Sequence, residues 1–189
     1  MIRYRFVFSK DERAKEKSFL KQIEYFKNFF ISHFNLHGGR KSKFSFGPAL
    51  CFGCESESEY VDTFFIKRMS DDEISIIINK NIDEGYSLNF FKTIPVYFPS
   101  VESVLDAVEY WIVFKDYQSV EIAEQKIINS VDKNMVFNME KSNDSLIIIL
   151  KKELTPKNLR ELSLKDMDFK KIIRKKLYWQ DSSGRLLII

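Results

Sequence analysis

The sequence predicts an α+β fold in which one order of elements, βαββαβ, occurs twice. Short segments of alternating apolar and polar residues indicate strands, and longer segments with apolar residues at three- and four-residue steps indicate helices. The prolines Pro95 and Pro99 separate the two sets of elements. We therefore expect two ferredoxin-like halves packed together, at residues 1–98 and 99–189.

In the first half, one helix is predicted from apolar residues at helical spacing, and a second from Ser70 and Glu73, which match a capping box. Gly85 is expected to end the second helix. The predicted elements are a strand at 3–8, a helix at 19–34, strands at 44–52 and 60–67, a helix at 70–82 and a strand at 86–96. The acidic segment 55–59 is predicted to connect the two middle strands.

In the second half, Thr155 and Pro156 are predicted to open a helix as its N-cap and its first residue. The predicted elements are a short helix at 101–107, a strand at 109–115, a helix at 119–131, strands at 135–140 and 145–151, the helix from Thr155, and a strand-rich piece at 170–189. The turn 181–184 divides that last piece. No sequence repeat relates the halves, so the prediction depends on element order alone.

The composition is that of a folded chain with a weak global charge. Apolar residues make up 44% of the 189 residues, which excludes intrinsic disorder over most of the chain. The formal net charge of +3 is too small to indicate nucleic acid, so only local clusters of cations carry that information. The chain has no apolar stretch of membrane-spanning length, and no signal peptide is predicted. With only 2 cysteines, a reducing cytoplasm is the expected compartment.

The stretch from residue 19 to residue 62 resembles a known family. Its motifs are Ser-Phe-Gly-Pro-Ala-Leu at 45–50, Gly53 with Glu55 and Ser56, and Glu-Tyr-Val-Asp at 59–62. They are similar to the signature of the radical-SAM-linked family, whose members lie beside or are fused to a radical SAM protein and have no assigned activity. The resemblance implies a radical SAM protein as partner.

Two features of the family pattern are missing from this chain. Where the family has Ser-His-Leu-Asp at the head of the first helix, residues 21–24 read Lys-Gln-Ile-Glu. Where the family has Asn-Pro-His-Pro, residues 39–42 read Gly-Arg-Lys-Ser. Both family histidines are therefore absent, and histidine is the usual side chain for proton transfer near neutral pH. The resemblance thus implies a divergent member that has lost any chemistry those histidines perform.

The histidines and cysteines form one candidate metal site. His33 and His37 lie one helical turn apart, and Cys51 and Cys54 could complete a tetrahedral zinc site. The alternative is structural: the cysteines lie at the end of a predicted strand, where their spacing directs them to opposite faces, and a buried free cysteine packs like a small apolar residue.

Acidic residues supply the candidates for catalysis. The carboxylates at 55, 57, 59 and 62 could present a magnesium site along a strand, or they could form a solvated turn. If the protein is an enzyme, the candidate acid and base groups are Glu55, Glu59, Tyr60 and Lys43. The alternative role for Glu55 is to cap backbone N–H groups or to pair with an arginine.

Two basic clusters indicate RNA binding. The first lies in a glycine-containing loop, and the second is followed directly by Tyr178 and Trp179. Aromatic rings beside cations favour RNA binding, because bases can stack on the rings. The candidate RNA-binding residues are Arg40, Lys41, Lys43, Lys170, Lys171, Arg174, Lys175 and Lys176. The alternative is a solvated charged face with Trp179 in the core.

Three functions follow from these observations. The first is a non-catalytic accessory protein of a radical SAM enzyme that binds an RNA-type substrate. The second is an RNA-processing or RNA-modifying enzyme that uses acid and base groups other than histidine. The third is a protein-binding module without nucleic acid, marked by exposed phenylalanines. No cofactor is predicted, because the glycine-rich phosphate motifs and the three-cysteine cluster of an iron–sulfur centre are missing from the sequence.

Overall fold

The structure, a computed structural model, describes residues 1–161 and 163–189 and has a mixed α/β fold. The chain divides into two compact units, which are Met1–Val104 (the N-terminal unit) and Leu105–Ile189 (the C-terminal unit). The division follows Val104 rather than residue 98, and the short helix 101–104 therefore belongs to the N-terminal unit.

The N-terminal unit contains four antiparallel strands in the order β4-β1-β3-β2 over its described residues. Its elements are β1 (Ile2–Lys10), α1 (Phe19–His33), β2 (Phe44–Phe46), β3 (Glu55–Phe65), α2 (Asp71–Asn81), β4 (Tyr86–Ile94) and α3 (Val101–Val104). The predicted capping box of α2 is confirmed, because the Ser70 and Glu73 side chains each accept a hydrogen bond from the other's backbone N–H. Gly85 follows this helix with a φ of 92°, as a glycine at such a turn can.

The core of the N-terminal unit is rich in aromatic rings. Phe6 and Phe8 of β1 are fully buried, and their ring centroids lie 4.7 Å from those of Phe30 and Phe26 of α1, respectively. Burial of such side chains contributes about 1.5–3 kcal/mol each to folding. Since side chains alternate along a strand, the residues between these phenylalanines lie on the opposite face of the sheet.

Two predictions for the middle of this unit are wrong. The predicted strand 44–52 ends at Phe46, and residues 47–54 form a loop in which Gly53 has a φ of 77°. The acidic segment 55–59 is not a connecting turn, because it forms the first half of β3. The connection between the two strands is therefore at residues 47–54 rather than 55–59.

The C-terminal unit has the corresponding order β8-β5-β7-β6, with β9 paired to β8. Its elements are β5 (Ala107–Phe114), α4 (Tyr117–Ser130), β6 (Val136–Ser142), β7 (Ser145–Lys151), α5 (Pro156–Leu159), β8 (Phe169–Gln180) and β9 (Leu186–Ile188). Thr155 and Pro156 open α5 as predicted. Its core contains Ile112, Val120, Ala123, Ile127 and Ile148, all almost fully buried.

Strand β8 contains an irregularity that affects the second basic cluster. The register between β5 and β8 shifts after Glu109: Glu109 stands opposite Lys176 and Tyr110 opposite Arg174, so Lys175 is the extra residue of a bulge in β8. A bulge of this kind changes which side chains face the core on either side of it.

Among the described residues, no helix is both long enough and apolar enough to span a membrane.

Candidate functional site

A buried cluster of charges lies on the face of the N-terminal sheet opposite the phenylalanine core. Arg5 of β1 stands opposite Asp62 of β3 in the antiparallel register. The Arg5 side chain donates two hydrogen bonds to the Asp62 carboxylate, at 2.8 Å and 2.9 Å, and Arg3 Nη2 donates a third to Oδ2 at 2.7 Å. Both arginines and the aspartate are buried. Both arginines share the Asp62 carboxylate, so its removal would leave their buried charges without this counter-charge.

The two arginines also bind the backbone that follows β4, which we call the 95–100 loop. Arg3 Nη1 donates to the carbonyl oxygens of Val96, at 3.3 Å, and Phe98, and Arg5 Nη2 donates to that of Pro99 at 3.4 Å. Arg5 Cζ lies 5.7 Å from the centroid of the Phe98 ring. The cluster therefore adds to the loop's own backbone hydrogen bond, which the Phe98 N–H donates to the Pro95 carbonyl oxygen at 2.9 Å.

The 95–100 loop presents apolar side chains to solvent. Tyr97 is 91% exposed, Phe98 is 42% exposed and Val96 is 41% exposed. An exposed aromatic ring on a fixed backbone is suited to stacking, because little conformational freedom remains to be lost on binding.

A cleft of about 400 Å³ lies beside this loop, which we call the Phe64 cleft. Its cationic side chains are Lys41 and Lys43, and both are exposed. Its lining is completed by Met1, His37, Gly38, Phe64 and Val96. The cleft thus combines an apolar surface with two cations that ligand phosphates can reach.

The backbone around the basic loop is ordered by local hydrogen bonds. Gly38 has a φ of 91°, in the left-handed region that favours glycine, and its carbonyl oxygen accepts a bond from the Lys41 N–H at 2.9 Å. Ser42 Oγ donates to the carbonyl oxygens of Gly39, at 2.6 Å, and His37, at 3.0 Å. Lys41 and Lys43 therefore project from a short 3-10 turn at Gly39–Lys41 and its end.

Arg3 connects the cleft with the loop. Its guanidinium carbon lies 5.6 Å from the centroid of the Phe64 ring, which lines the cleft, and its Nη1 binds the 95–100 loop. A cation over a ring face contributes about 0.5–2 kcal/mol, depending on desolvation. One buried side chain thus orders both the apolar part of the cleft and the loop beside it.

The second basic cluster differs from the prediction. Arg174 is fully buried, because it lies on the same side of β8 as the core residue Ile172, so it forms no part of an exposed RNA-binding surface. Lys170 lies 3.5 Å from Asp144 and Lys176 lies 3.7 Å from Glu109, which places acidic groups beside these cations. Lys171 is exposed.

Aromatic side chains do lie next to this cluster. Lys175 Nζ is 4.3 Å from the centroid of the Trp111 ring, and the Trp111 indole N–H donates to Glu109 at 3.0 Å. The hydroxyl of Tyr178 also donates to Glu109, and burial together with this bond raises the pKa of Tyr178. Trp179 is 40% exposed, so the alternative that places it in the core is wrong.

The candidate catalytic residues are not brought together on one face. Glu59 is buried on the helix side of β3, where it accepts a hydrogen bond from the Gln22 amide of α1. Tyr60 is the next residue and points to the opposite face, where its ring centroid lies 5.9 Å from Arg5 Cζ. Glu55 is half-buried at the start of the strand, whereas Lys43 lines the Phe64 cleft.

The candidate metal site is also separated by the fold. Helix α1 ends at His33 and Phe34 is extended, so His33 and His37 do not share a helix face. Cys51 and Cys54 form a disulfide and have no thiolates available as ligands. Over the described ranges, no group of three or more histidine, cysteine or carboxylate side chains could hold a metal ion.

Sequence reasoning missed the 95–100 loop and the buried charges that hold it. The signal was present, because Arg3 and Arg5 alternate with the core residues of β1, and Asp62 does the same in β3. When one face of a strand is apolar and the other carries charged residues, the charged face is either exposed to solvent or covered by another part of the chain. Only the fold shows that the 95–100 loop contacts Arg3 and Arg5 on this face.

A comparison with known protein families shows to which family the chain belongs. The model of a family described as "Uncharacterized protein conserved in bacteria (DUF2344)" matches residues 40–182, more than half of the chain. The chain belongs to this family. Its matched region contains Lys41, Lys43 and the 95–100 loop, but begins after Arg3 and Arg5. The comparison with curated proteins gave no match. Because the family is described as uncharacterized, membership assigns no reaction, and the radical SAM partner stays a prediction.

Proposed function

We propose that the protein is a non-catalytic accessory protein that binds single-stranded RNA through the Phe64 cleft and the 95–100 loop. The observation that carries this proposal is the combination of Lys41 and Lys43 with the Phe64 ring in one cleft, beside the highly exposed Tyr97. Proteins that bind single strands combine cations along the backbone path with rings on which bases stack. Arg40 is exposed in the same turn and extends the cationic surface.

The expected energetics suit a modest, salt-dependent affinity. Each base stacked on an aromatic ring contributes about 1–3 kcal/mol. Each phosphate neutralised by a lysine adds about 0.7 to the magnitude of the slope of log K against log salt for single strands. Lys170, Lys171, Lys175 and Lys176 are proposed as a second, weaker contact, because acidic side chains lie beside two of them.

The proposed partner is a radical SAM protein. It is supported by the resemblance of the motifs between residues 45 and 62 to the radical-SAM-linked family. Affinity purification from a native cell, with the protein as bait, is expected to recover a radical SAM protein. If it recovers none under cross-linking conditions, the accessory role is rejected. RNA binding is tested separately, by the anisotropy experiment below.

We also propose that each unit is a ferredoxin-like domain. The support is the element order βαββαβ in each unit and the matching orders β4-β1-β3-β2 and β8-β5-β7-β6. Ferredoxin-like sheets are a frequent platform for RNA, which is an argument by analogy and adds little by itself. Expression of residues 1–104 alone tests the domain proposal: a cooperative unfolding transition is expected, and an unfolded fragment would contradict it.

The protein-binding alternative has less support. Of the 18 phenylalanines, those exposed in the described part of the chain are Phe52, Phe90 and Phe98. An interface marked by phenylalanine would expose more of them. The enzyme alternative loses support because Glu59 and Tyr60 are buried on opposite faces of β3.

Fluorescence anisotropy of a labelled single-stranded RNA, measured with the full chain across a salt series, tests the proposal. The double variant Lys41→Glu/Lys43→Glu is expected to bind at least about tenfold more weakly at low salt. Lys27→Glu/Lys80→Glu, at exposed positions of α1 and α2 outside the cleft, makes the same change of net charge and is expected to bind nearly as the wild type does. Equal loss in both variants would mean that only global charge matters, and absence of binding by the wild type at low salt would reject the function.

A further inference from the structure

We propose that the Cys51–Cys54 disulfide is a thiol–disulfide exchange site whose outward sulfur, Cys51 Sγ, reacts with a low-molecular-weight thiol. The pair lies in the loop that precedes β3 and is separated by Phe52 and Gly53. The inference is independent of RNA binding and of the radical SAM partner.

The two sulfurs differ in accessibility. Cys54 is fully buried, whereas Cys51 is half-buried. Thiol–disulfide exchange requires the attacking sulfur to reach one sulfur of the disulfide along the bond direction, so access decides which sulfur is attacked. Cys51 is therefore the more accessible of the two cysteines, and the next residue, Phe52, is 61% exposed.

The loop is held so that this asymmetry persists. The Gly53 N–H donates to the Lys15 carbonyl oxygen at 3.1 Å, which ties the loop to the turn before α1. The Cys54 N–H donates to the Cys51 carbonyl oxygen at 3.3 Å, and the left-handed φ of 77° at Gly53 closes the turn between them. Both contacts are made by backbone atoms, so we expect them to keep Cys51 and Cys54 close together after reduction.

A purely structural role fits this pair poorly. A disulfide stabilises chiefly by restricting the unfolded chain, and the effect grows with the number of residues in the closed loop. Here the sequence separation is 3, so the restriction is near its minimum. The chain has 2 cysteines, so no other thiol of the same molecule is available to exchange with the pair, and the reductant must come from outside.

The exchange balances as two successive displacements. A thiolate RS⁻ attacks Cys51 Sγ, the S–S bond breaks, and the electron pair leaves on Cys54 Sγ, which becomes a thiolate. A second RS⁻ attacks the R sulfur of the mixed disulfide and releases the Cys51 thiolate with RSSR. Two RSH are oxidised to RSSR, the protein disulfide is reduced to a dithiol, and the two protons of RSH end on the two cysteine sulfurs.

Single-cysteine variants of the full chain test the asymmetry. Cys54→Ser and Cys51→Ser are incubated with glutathione disulfide, and the mixed disulfide is followed by intact-protein mass spectrometry. Cys54→Ser, which retains the accessible Cys51, is expected to react at least about tenfold faster than Cys51→Ser, because reactivity follows accessibility. Equal rates, or faster reaction of Cys51→Ser, would overturn the assignment of Cys51.

A measurement on the wild-type protein does not depend on the folding of either variant. The folded protein is treated with dithiothreitol in the absence of denaturant, and free thiols are counted by alkylation and mass. Reduction of both sulfurs with an unchanged circular dichroism spectrum is expected. A disulfide that is reduced only after denaturant unfolds the chain would identify a buried structural cross-link and overturn the proposal.

Discussion

Arg3 and Asp62 form a buried ion pair, with Nη2 and Oδ2 2.7 Å apart and side-chain exposures of 6% and 1%. The same arginine donates to the backbone of the 95–100 loop and lies over the Phe64 ring. A charge placed in strand β1 thus orders both parts of the proposed RNA-binding surface. Because the pair is desolvated, its loss affects the fold and the binding surface together.

Removal of the shared carboxylate is expected to be costly. Asp62→Asn leaves Arg3 and Arg5 buried without a counter-charge and is expected to lower the free energy of unfolding by about 3–5 kcal/mol. Urea unfolding followed by circular dichroism measures the change. Glu84→Gln is the matched control, because that side chain is 86% exposed and its substitution is expected to cost less than about 1 kcal/mol. Similar values for the two variants would contradict a structural role for the cluster.

A change at Arg3 that preserves its charge should loosen the 95–100 loop. Arg3→Lys keeps the cation but cannot donate at once to Asp62 and to the loop carbonyls, since an ammonium lacks the planar fork of a guanidinium. Loss of one or two hydrogen bonds of about 1 kcal/mol each should increase loop opening about tenfold. Chymotrypsin cleavage after Tyr97 reports this opening, and an unchanged cleavage rate would show that Arg3 does not hold the loop.

Stacking and charge can be separated within the proposed RNA-binding surface. Tyr97→Ala is expected to weaken RNA binding by about 1–3 kcal/mol without changing the salt dependence, because it removes a ring and no charge. Lys41→Ala is expected to reduce the magnitude of the salt slope by about 0.7. Anisotropy titrations at several salt concentrations measure both quantities. A change of slope in Tyr97→Ala, or none in Lys41→Ala, would contradict the assigned contacts.

Helix α4 is expected to lose stability in acid through its N-cap. The hydrogen bond from the Ser119 N–H holds the pKa of Asp116 below its ordinary value of 3.8. A lowered pKa in the folded state means that the stabilisation is present above the unfolded pKa and is lost as the pH falls through the folded pKa. The stabilisation from this group should therefore decline as the pH falls below about 3.8.

The variant Asp116→Asn isolates that effect. Asparagine is an equally good N-cap but does not titrate. In acid the stability of the variant should therefore match that of the wild type. Near neutral pH the variant should lack only the stabilisation that the Asp116 charge contributes. Thermal melts at about pH 6 and about pH 3 should show a smaller difference between the two pH values for the variant than for the wild type. Identical pH dependence would mean that Asp116 does not contribute to it.

Much of the local structure could be predicted from residue pattern and spacing. The capping box of Ser70 and Glu73 and the Thr155–Pro156 helix start lie within a few neighbouring residues, so their hydrogen bonds are decided locally. The strand 44–52 was predicted too long, because the apolar residues 50 and 52 continue the strand pattern although Gly47, Pro48 and Gly53 interrupt it. Arg174 was predicted to be exposed because charge clustering does not reveal the register of β8 on β5.

By itself, the sequence determined the α+β class, the order of elements and the presence of basic loops, since each depends on short-range periodicity, capping and turn residues. The tertiary structure alone decided that Arg3, Arg5 and Asp62 are buried together, that both arginines bind the 95–100 loop, and that Lys41 and Lys43 share a cleft with Phe64. Arg3 and Asp62 are far apart in the chain, and strand register brings them together. Register follows from burial of the whole apolar face of the sheet, which no local pattern of residues contains.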